Sequence, residues 1–175
     1  MKRIILITGG QRSGKSAYAE QLALSLDAHP IYMATAHIWD EEFRLRVIQH
    51  RRRRGGQWEN IEEERQLSKH CIYNKVCVID CLTLWYTNFF YDDGKNTAEE
   101  IDVQEVLSDL KDEFDRFTQQ EATFIFVTNE IGSGGVSDHL LQRKFTDLEG
   151  WMNQYVAQRA DEVILMVAGI PVKIK

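Results

Sequence analysis

The chain has 175 residues, 43% of them apolar and 27% charged, which suits one well-packed domain over residues 1–175 and is too short for two. Two prolines, no low-complexity tract and no apolar run of membrane-spanning length exclude a largely disordered chain and a membrane-spanning helix. A formal net charge of -6 argues against bulk nucleic-acid binding while leaving room for a local basic site.

The opening MKRIILITGG has the look of a short signal start, but it runs into glycines and a polar stretch without a small-residue cleavage pattern. It reads instead as a first strand, Ile4–Ile7. Ala19, Leu22, Ala23 and Leu26 follow with helical spacing, and Ile31–Ala34 is a second strand. Asp40 is placed to cap a helix through Phe43, Val47 and His50, which share one face. Val76–Ile79 is a third strand bounded by Asp80, and an apolar helix follows around Leu82–Phe90. Thr97 is expected to cap an amphipathic helix whose stripe is Val103, Val106, Leu107, Leu110, Phe114 and Phe117. Phe124–Val127 is a fourth strand. Ser137 is expected to start a long helix with Leu141, Phe145, Leu148, Met152 and Tyr155 inward. Val163–Val167 forms a fifth strand and Val172–Ile174 a sixth.

Apolar strands alternating with helices imply an α/β fold, a mostly parallel sheet covered on both faces. Ligands in such folds bind beyond the carboxyl ends of the strands. Those ends are Gly9–Ser16, Thr35, Asp80 and Thr128–Glu130, where the glycines and polar residues gather. Cys71, Cys77 and Cys81 have no metal-ligand pairing and are expected to be buried, reduced thiols of a cytoplasmic protein.

Gly9-Gly10-Gln11-Arg12-Ser13-Gly14-Lys15-Ser16 fits the phosphate-loop pattern G-x-x-x-x-G-K-S, with a strand before it and a helix after it. Glycines let successive N–H groups turn toward an anion, Lys15 is expected to reach the outer phosphates, and Ser16 can ligate Mg²⁺. Asp80 stands where the second acid of such sites holds Mg²⁺, directly or through water. Asn129-Glu130, ahead of the glycine-rich Ile131–Gly135, either positions a hydroxyl or a metal or is a plain loop; the spacing leaves both open.

The tract RVIQHRRRRGGQW puts His50 before four arginines. On a continuous helix Arg46, Arg53 and Arg54 surround His50, and Arg51 and Arg52 point elsewhere. Arginine neighbours disfavour the imidazolium, and neutral imidazole is a competent nucleophile toward phosphorus. The same arginines would neutralise a triphosphate and the charge that spreads during transfer. The alternative is a solvated basic face or a nucleic-acid patch, although the interleaved aromatics of single-strand binders are absent.

Together, ITGGQRSGKS, YMATA, DEEFRLRVIQHRRRRGGQWENIEE, VIDCLTLWYTN, VTNEIGSGGV and ADEVILMVAGIPVKIK resemble, over nearly the whole chain, the bifunctional adenosylcobinamide kinase / adenosylcobinamide-phosphate guanylyltransferases of cobalamin biosynthesis. The resemblance implies a P-loop NTPase-like three-layer fold with a mostly parallel central sheet, commonly a homotrimer; net acidity argues against a nucleic-acid partner. It implies phosphorylation of adenosylcobinamide by ATP or GTP, then transfer of GMP from GTP to the phosphorylated corrinoid through a guanylyl-His50. By matching position it assigns phosphates to Gly9, Gly10, Gln11, Arg12, Ser13, Gly14, Lys15 and Ser16, the nucleotide site to Ala34, Thr35 and Ala36, and nucleotide contacts to Arg51, Arg52, Arg53, Arg54 and Glu62. Asp80 falls at the metal end, with Ser16, for Mg²⁺. Contacts from both Arg51 and Arg52 would require the helix to end or bend near His50, which Gly55-Gly56 allow. A single-donor P-loop kinase without a covalent intermediate is the competing enzyme reading.

Overall fold

The computed structural model describes residues 1–37, 48, 55–91 and 97–175. The expected helix from Asp40 through Phe43 and Val47 to His50, and Arg51–Arg54 with it, lies outside the described residues. In chain order the described elements are β1 (Arg3–Gly9), α1 (Lys15–Leu26), β2 (Ile31–Ala34), β3 (Glu59–Glu62), β4 (Val76–Asp80), α2 (Leu82–Phe90), α3 (Val103–Phe117), β5 (Thr123–Val127), α4 (Leu140–Arg159), β6 (Glu162–Val167) and β7 (Ile170–Lys173). The strands form one seven-stranded sheet in the order β3-β2-β4-β5-β1-β6-β7. Every pairing is parallel except β6 with β7.

Side chains alternate across the pleat, so β1 feeds two cores. Ile4 and Leu6 join Phe124, Phe126, Met33 and Ile79 beneath α2, α3 and α4. Ile5 and Ile7 join Ile125, Val127 and Val78 beneath α1, where the fully buried Ala19 and Ala23 bring that helix close to the sheet. Phe124 and Phe126 are stacked two residues apart on β5, and Phe117 of α3 meets Phe124 edge-on at 5.2 Å. Helices therefore cover both faces, as the continuous apolar strands imply.

Several expectations need correction. β3, Glu-Asn-Ile-Glu, has no apolar run to announce it; it is an edge strand held by pairing with β2 and mostly exposed. Asp102, not Thr97, caps α3: its Oδ1 accepts from the N–H groups of Gln104 at 2.9 Å and Glu105 at 3.3 Å. Thr97 instead bonds Glu100 in a preceding turn. Ser137 accepts from His139 N–H in a local turn, and α4 starts at Leu140. The last strand runs Ile170–Lys173 rather than Val172–Ile174. All three cysteines are free, with Cys77 and Cys81 buried as expected and Cys71 exposed. Burial pushes the Cys81 thiol up to about 12, so neither buried thiol is a thiolate at neutral pH.

Candidate nucleotide site

Parallel register puts Glu62, Ala34, Asp80, Val127 and Ile7 in one row across the carboxyl edge of the sheet. At the usual strand spacing, the ends of that row are about 19 Å apart. The residues singled out in sequence thus share an edge but divide into two regions. Gly9–Ser16 and Asp80 lie toward β1 and β4; Ala34–Ala36 and Glu62 lie toward β2 and β3.

The first region is built by the turn from β1 into α1. Gly9 has φ +150°, and a Cβ there would lie 2.5 Å from the Met166 carbonyl oxygen and 2.9 Å from Ser13 Oγ, so only glycine fits. Gly14, at φ 96°, caps α1, whose first turn carries no acid and leaves its N–H groups facing the loop. The loop is pinned from the far side by Gly169, between β6 and β7, whose N–H donates to the Ser13 carbonyl at 3.0 Å. Lys15 is 7% exposed and donates to the Gly10 carbonyl across the loop at 2.7 Å. Burial pulls its ammonium below the usual lysine range, and the nearby carboxylates of Asp80 and Glu149 oppose that pull. Ser13 Oγ is buried without a hydrogen-bond partner among the described residues, a donor left for an anion. Ser16, one residue beyond Lys15, is half-buried at the start of α1.

Asp80 ends β4. Its Oδ2 accepts from the Tyr32 hydroxyl at 2.6 Å, and Tyr32 is wedged edge-on against Trp58 at 5.9 Å. Ser16 and Asp80 offer a hydroxyl and a carboxylate, the hard oxygen donors that Mg²⁺ takes.

In the second region, the Thr35 hydroxyl turns inward to the Cys81 carbonyl at 2.7 Å, and Thr35 is fully buried. Asn88 clamps the Thr35 and Glu64 carbonyls at 2.7 and 2.8 Å. Thr35 therefore shapes this region through its backbone rather than by offering its side chain. Ala34, Ala36 and Glu62 line a cavity of about 660 Å³, with His37, Glu63, Glu64, Arg65, Gln66 and Lys69 completing its described wall. Three glutamates make that wall a set of hydrogen-bond acceptors. The cations expected to serve a triphosphate, Arg51–Arg54, and the expected nucleophile, His50, lie outside the described residues.

The structure adds residues that pattern reading missed. Glu149 of α4 is 1% exposed and reaches the β4–β5 side of the loop, where Thr83 Oγ1 donates to its Oε1 at 2.6 Å. Burial, with the Glu130 carboxylate behind it, raises Glu149 to about 7, against the pull of the Thr83 hydrogen bond and the Lys15 charge. A signal existed: Phe145, Glu149, Met152 and Val156 follow helical spacing, so one carboxylate stands on an apolar stripe. Asn129-Glu130 proves to be built into this corner, since the Glu130 N–H donates to the Gly9 carbonyl at 3.1 Å.

Among known proteins, the profile of a family described as "Cobinamide kinase / cobinamide phosphate guanyltransferase" matches residues 5–174. The bifunctional adenosylcobalamin biosynthesis protein CobU of Escherichia coli K12 is 36% identical over 98% of this chain and 99% of its own length. The bifunctional protein CobP of Pseudomonas aeruginosa is 35% identical over 97% of this chain and 96% of its own. CobU of Salmonella typhimurium is 37% identical over 98% and 99%. Among solved structures, an ATPase from the type III secretion system of pathogenic bacteria aligns with a TM-score of 0.56 at 12% identity, over 98% of this chain and 56% of that one, which is a likeness of fold.

Proposed function

The chain belongs to the cobinamide kinase / cobinamide phosphate guanyltransferase family, and we propose that it performs both transfers along the carboxyl edge of its sheet, the second through a covalent guanylyl-His50. The match over residues 5–174 carries the assignment to the two activities. The division of the edge into a phosphate-loop region and a separate cavity beside Glu62 supports two transfers in one domain.

In the kinase step the aminopropanol hydroxyl of adenosylcobinamide attacks the γ-phosphorus of ATP or GTP. The bond to the β-phosphate oxygen breaks, the nucleoside diphosphate leaves, and the hydroxyl proton is lost to solvent or a base. Gly9–Ser16 hold the phosphates with backbone N–H groups and Lys15, inside a wall that burial makes less polar than water. Ser16 and Asp80 would hold Mg²⁺, which would supply charge neutralisation for the phosphates. Tyr32, fixed against Trp58, keeps the Asp80 carboxylate in its orientation.

In the guanylyl step a ring nitrogen of neutral His50 attacks the α-phosphorus of GTP, and pyrophosphate leaves. A phosphate oxygen of adenosylcobinamide phosphate then attacks the same phosphorus. The P–N bond breaks, giving adenosylcobinamide-GDP and free His50. Arg51–Arg54 balance the triphosphate charge. Glu62, an acceptor on the cavity wall, suits the N–H edge of guanine. Resemblance further supports a homotrimer; the free cysteines support a cytoplasmic enzyme, and a formal net charge of -6 argues against a nucleic-acid partner.

The test is incubation with GTP labelled at the α-phosphate, followed by denaturation. Acid-labile label on wild-type protein and none on His50→Ala is the expected outcome. Unlabelled wild type, or a fully labelled His50→Ala, would overturn the covalent route. Phosphorylation of adenosylcobinamide by a protein that never takes label would favour the single-donor kinase reading.

A further inference from the structure

Glu149 sits at the middle of α4, between Leu148 and Met152 of the core, yet carries a carboxyl group. Its Oε1 accepts from Thr83, and its Oε2 is buried with no hydrogen-bond partner among the described residues. A well-packed apolar residue at such a position is usually no less stable than a buried charge. The carboxyl group therefore needs a role other than stability.

The hydrogen bonds around Thr83 supply one. A hydroxyl has one proton and two acceptor sites. Thr83 Oγ1 accepts from the Asn129 N–H at 3.0 Å and from Asn129 Nδ2 at 3.1 Å, so its single proton is committed to Glu149. Asn129 is held on its other side, where its carbonyl accepts from Asn153 Nδ2 at 3.1 Å. The next residue, Glu130, donates its N–H to the Gly9 carbonyl at 3.1 Å. An unbroken chain of bonds thus runs from Glu149 through Thr83, Asn129 and Glu130 to the first residue of the phosphate loop. The groups whose charge bears on Glu149 are Lys15 of the loop and Glu130 of the β5 end; Tyr86 of α2 and Cys81 after β4 stay neutral beside it.

We propose that Glu149 is a positioning residue for the phosphoryl-transfer step: as a charged acceptor it fixes the Thr83 hydroxyl, and through it holds the Asn129–Glu130 corner against the phosphate loop. An ionised acceptor binds a hydroxyl roughly twice as strongly as a neutral one. Protonation of Glu149, or its replacement by an amide, loosens the corner without removing it. The proposal rests on the kinase reading of the phosphate loop.

The experiment compares wild type, Glu149→Gln and Thr83→Val. It measures kcat and KM for ATP-driven phosphorylation of adenosylcobinamide from about pH 5.5 to 8.5, the span a carboxyl of this kind would report, together with amide hydrogen exchange at Glu130. Wild-type kcat is expected to fall as the pH drops through the Glu149 titration. Glu149→Gln is expected to give a kcat lower by up to about a hundredfold, as a small misplacement caused from outside the reacting groups can, with KM for ATP little changed and that inflection gone. In both variants the Glu130 amide is expected to exchange faster. Wild-type kcat and pH profile in Glu149→Gln, or unchanged Glu130 exchange in both variants, would overturn the proposal. A wild-type protein that does not phosphorylate adenosylcobinamide would overturn the kinase reading instead, and the exchange measurement would still decide the role of Glu149. If Glu149→Gln does not fold, Thr83→Val decides alone, since it keeps the carboxyl and removes only the link.

Discussion

At position 9 a side chain has nowhere to go. A Cβ would overlap the Met166 carbonyl oxygen at 2.5 Å, and φ +150° is a conformation that L-residues avoid. The obstruction is backbone of the neighbouring strand, so no rotamer change relieves it. Gly9→Ala is expected to lower stability by roughly 1–3 kcal/mol, the cost of one strained backbone position, read as a lower urea midpoint with an unchanged slope. Because the Gly9 carbonyl also receives the Glu130 N–H, nucleotide affinity should fall as well. Lys15 shows the complementary side of the loop: its ammonium, disfavoured by burial, is held by the nearby Asp80 and Glu149 carboxylates and by the Gly10 carbonyl.

The elements differ in how their ends are set. α1 begins on a left-handed glycine with no side-chain cap, which leaves its N–H groups for an anion. α3 begins on Asp102, which satisfies two N–H groups itself, and no ligand is needed there. Asp102→Ala is therefore expected to cost about 1 kcal/mol, measured by thermal unfolding, with kinase and labelling activities unchanged. β3 shows the opposite case. Its residues have weak strand preference, and it exists because β2 offers an unpaired edge. That pairing is what brings Glu62 level with Ala34 and Asp80.

For the whole molecule, Glu149 links stability to pH. Its folded value of about 7 lies above the ordinary 4.5, so the folded state binds the proton more tightly than the unfolded chain. Its contribution is present in full below about 4.5 and is lost as pH rises through 7. Glu63 and Glu162 act in the other direction. Glu63 is lowered because hydrogen bonds from the Arg65 and Gln66 N–H groups and His70 outweigh its burial; Glu162 is lowered by Lys173 and Arg3. Their contributions are lost on acidification. The stability of Glu149→Gln relative to wild type should rise between pH 5 and 8, as measured by urea unfolding at each pH; a constant difference would show that Glu149 does not titrate in this window.

By itself the sequence determined the strand-loop-helix of Gly9–Ser16, the alternation that makes a parallel sheet, and the placing of Asp80 at a strand end. These are local signals: glycine at positions where a Cβ cannot fit, apolar residues at the period of one element, an acid after an apolar run. Only the tertiary structure decided which of those ends meet. Register across five strands, not spacing along the chain, put Glu62, Ala34 and Asp80 in one row and set Glu62 and Ala34 apart from the phosphate loop. It likewise took the packing of α4 against α2 to turn one carboxylate on an apolar stripe into the partner of Thr83. Burial and charge proximity are properties of what lies across space, and residues 83, 129 and 149 are joined by hydrogen bonds that no local period records.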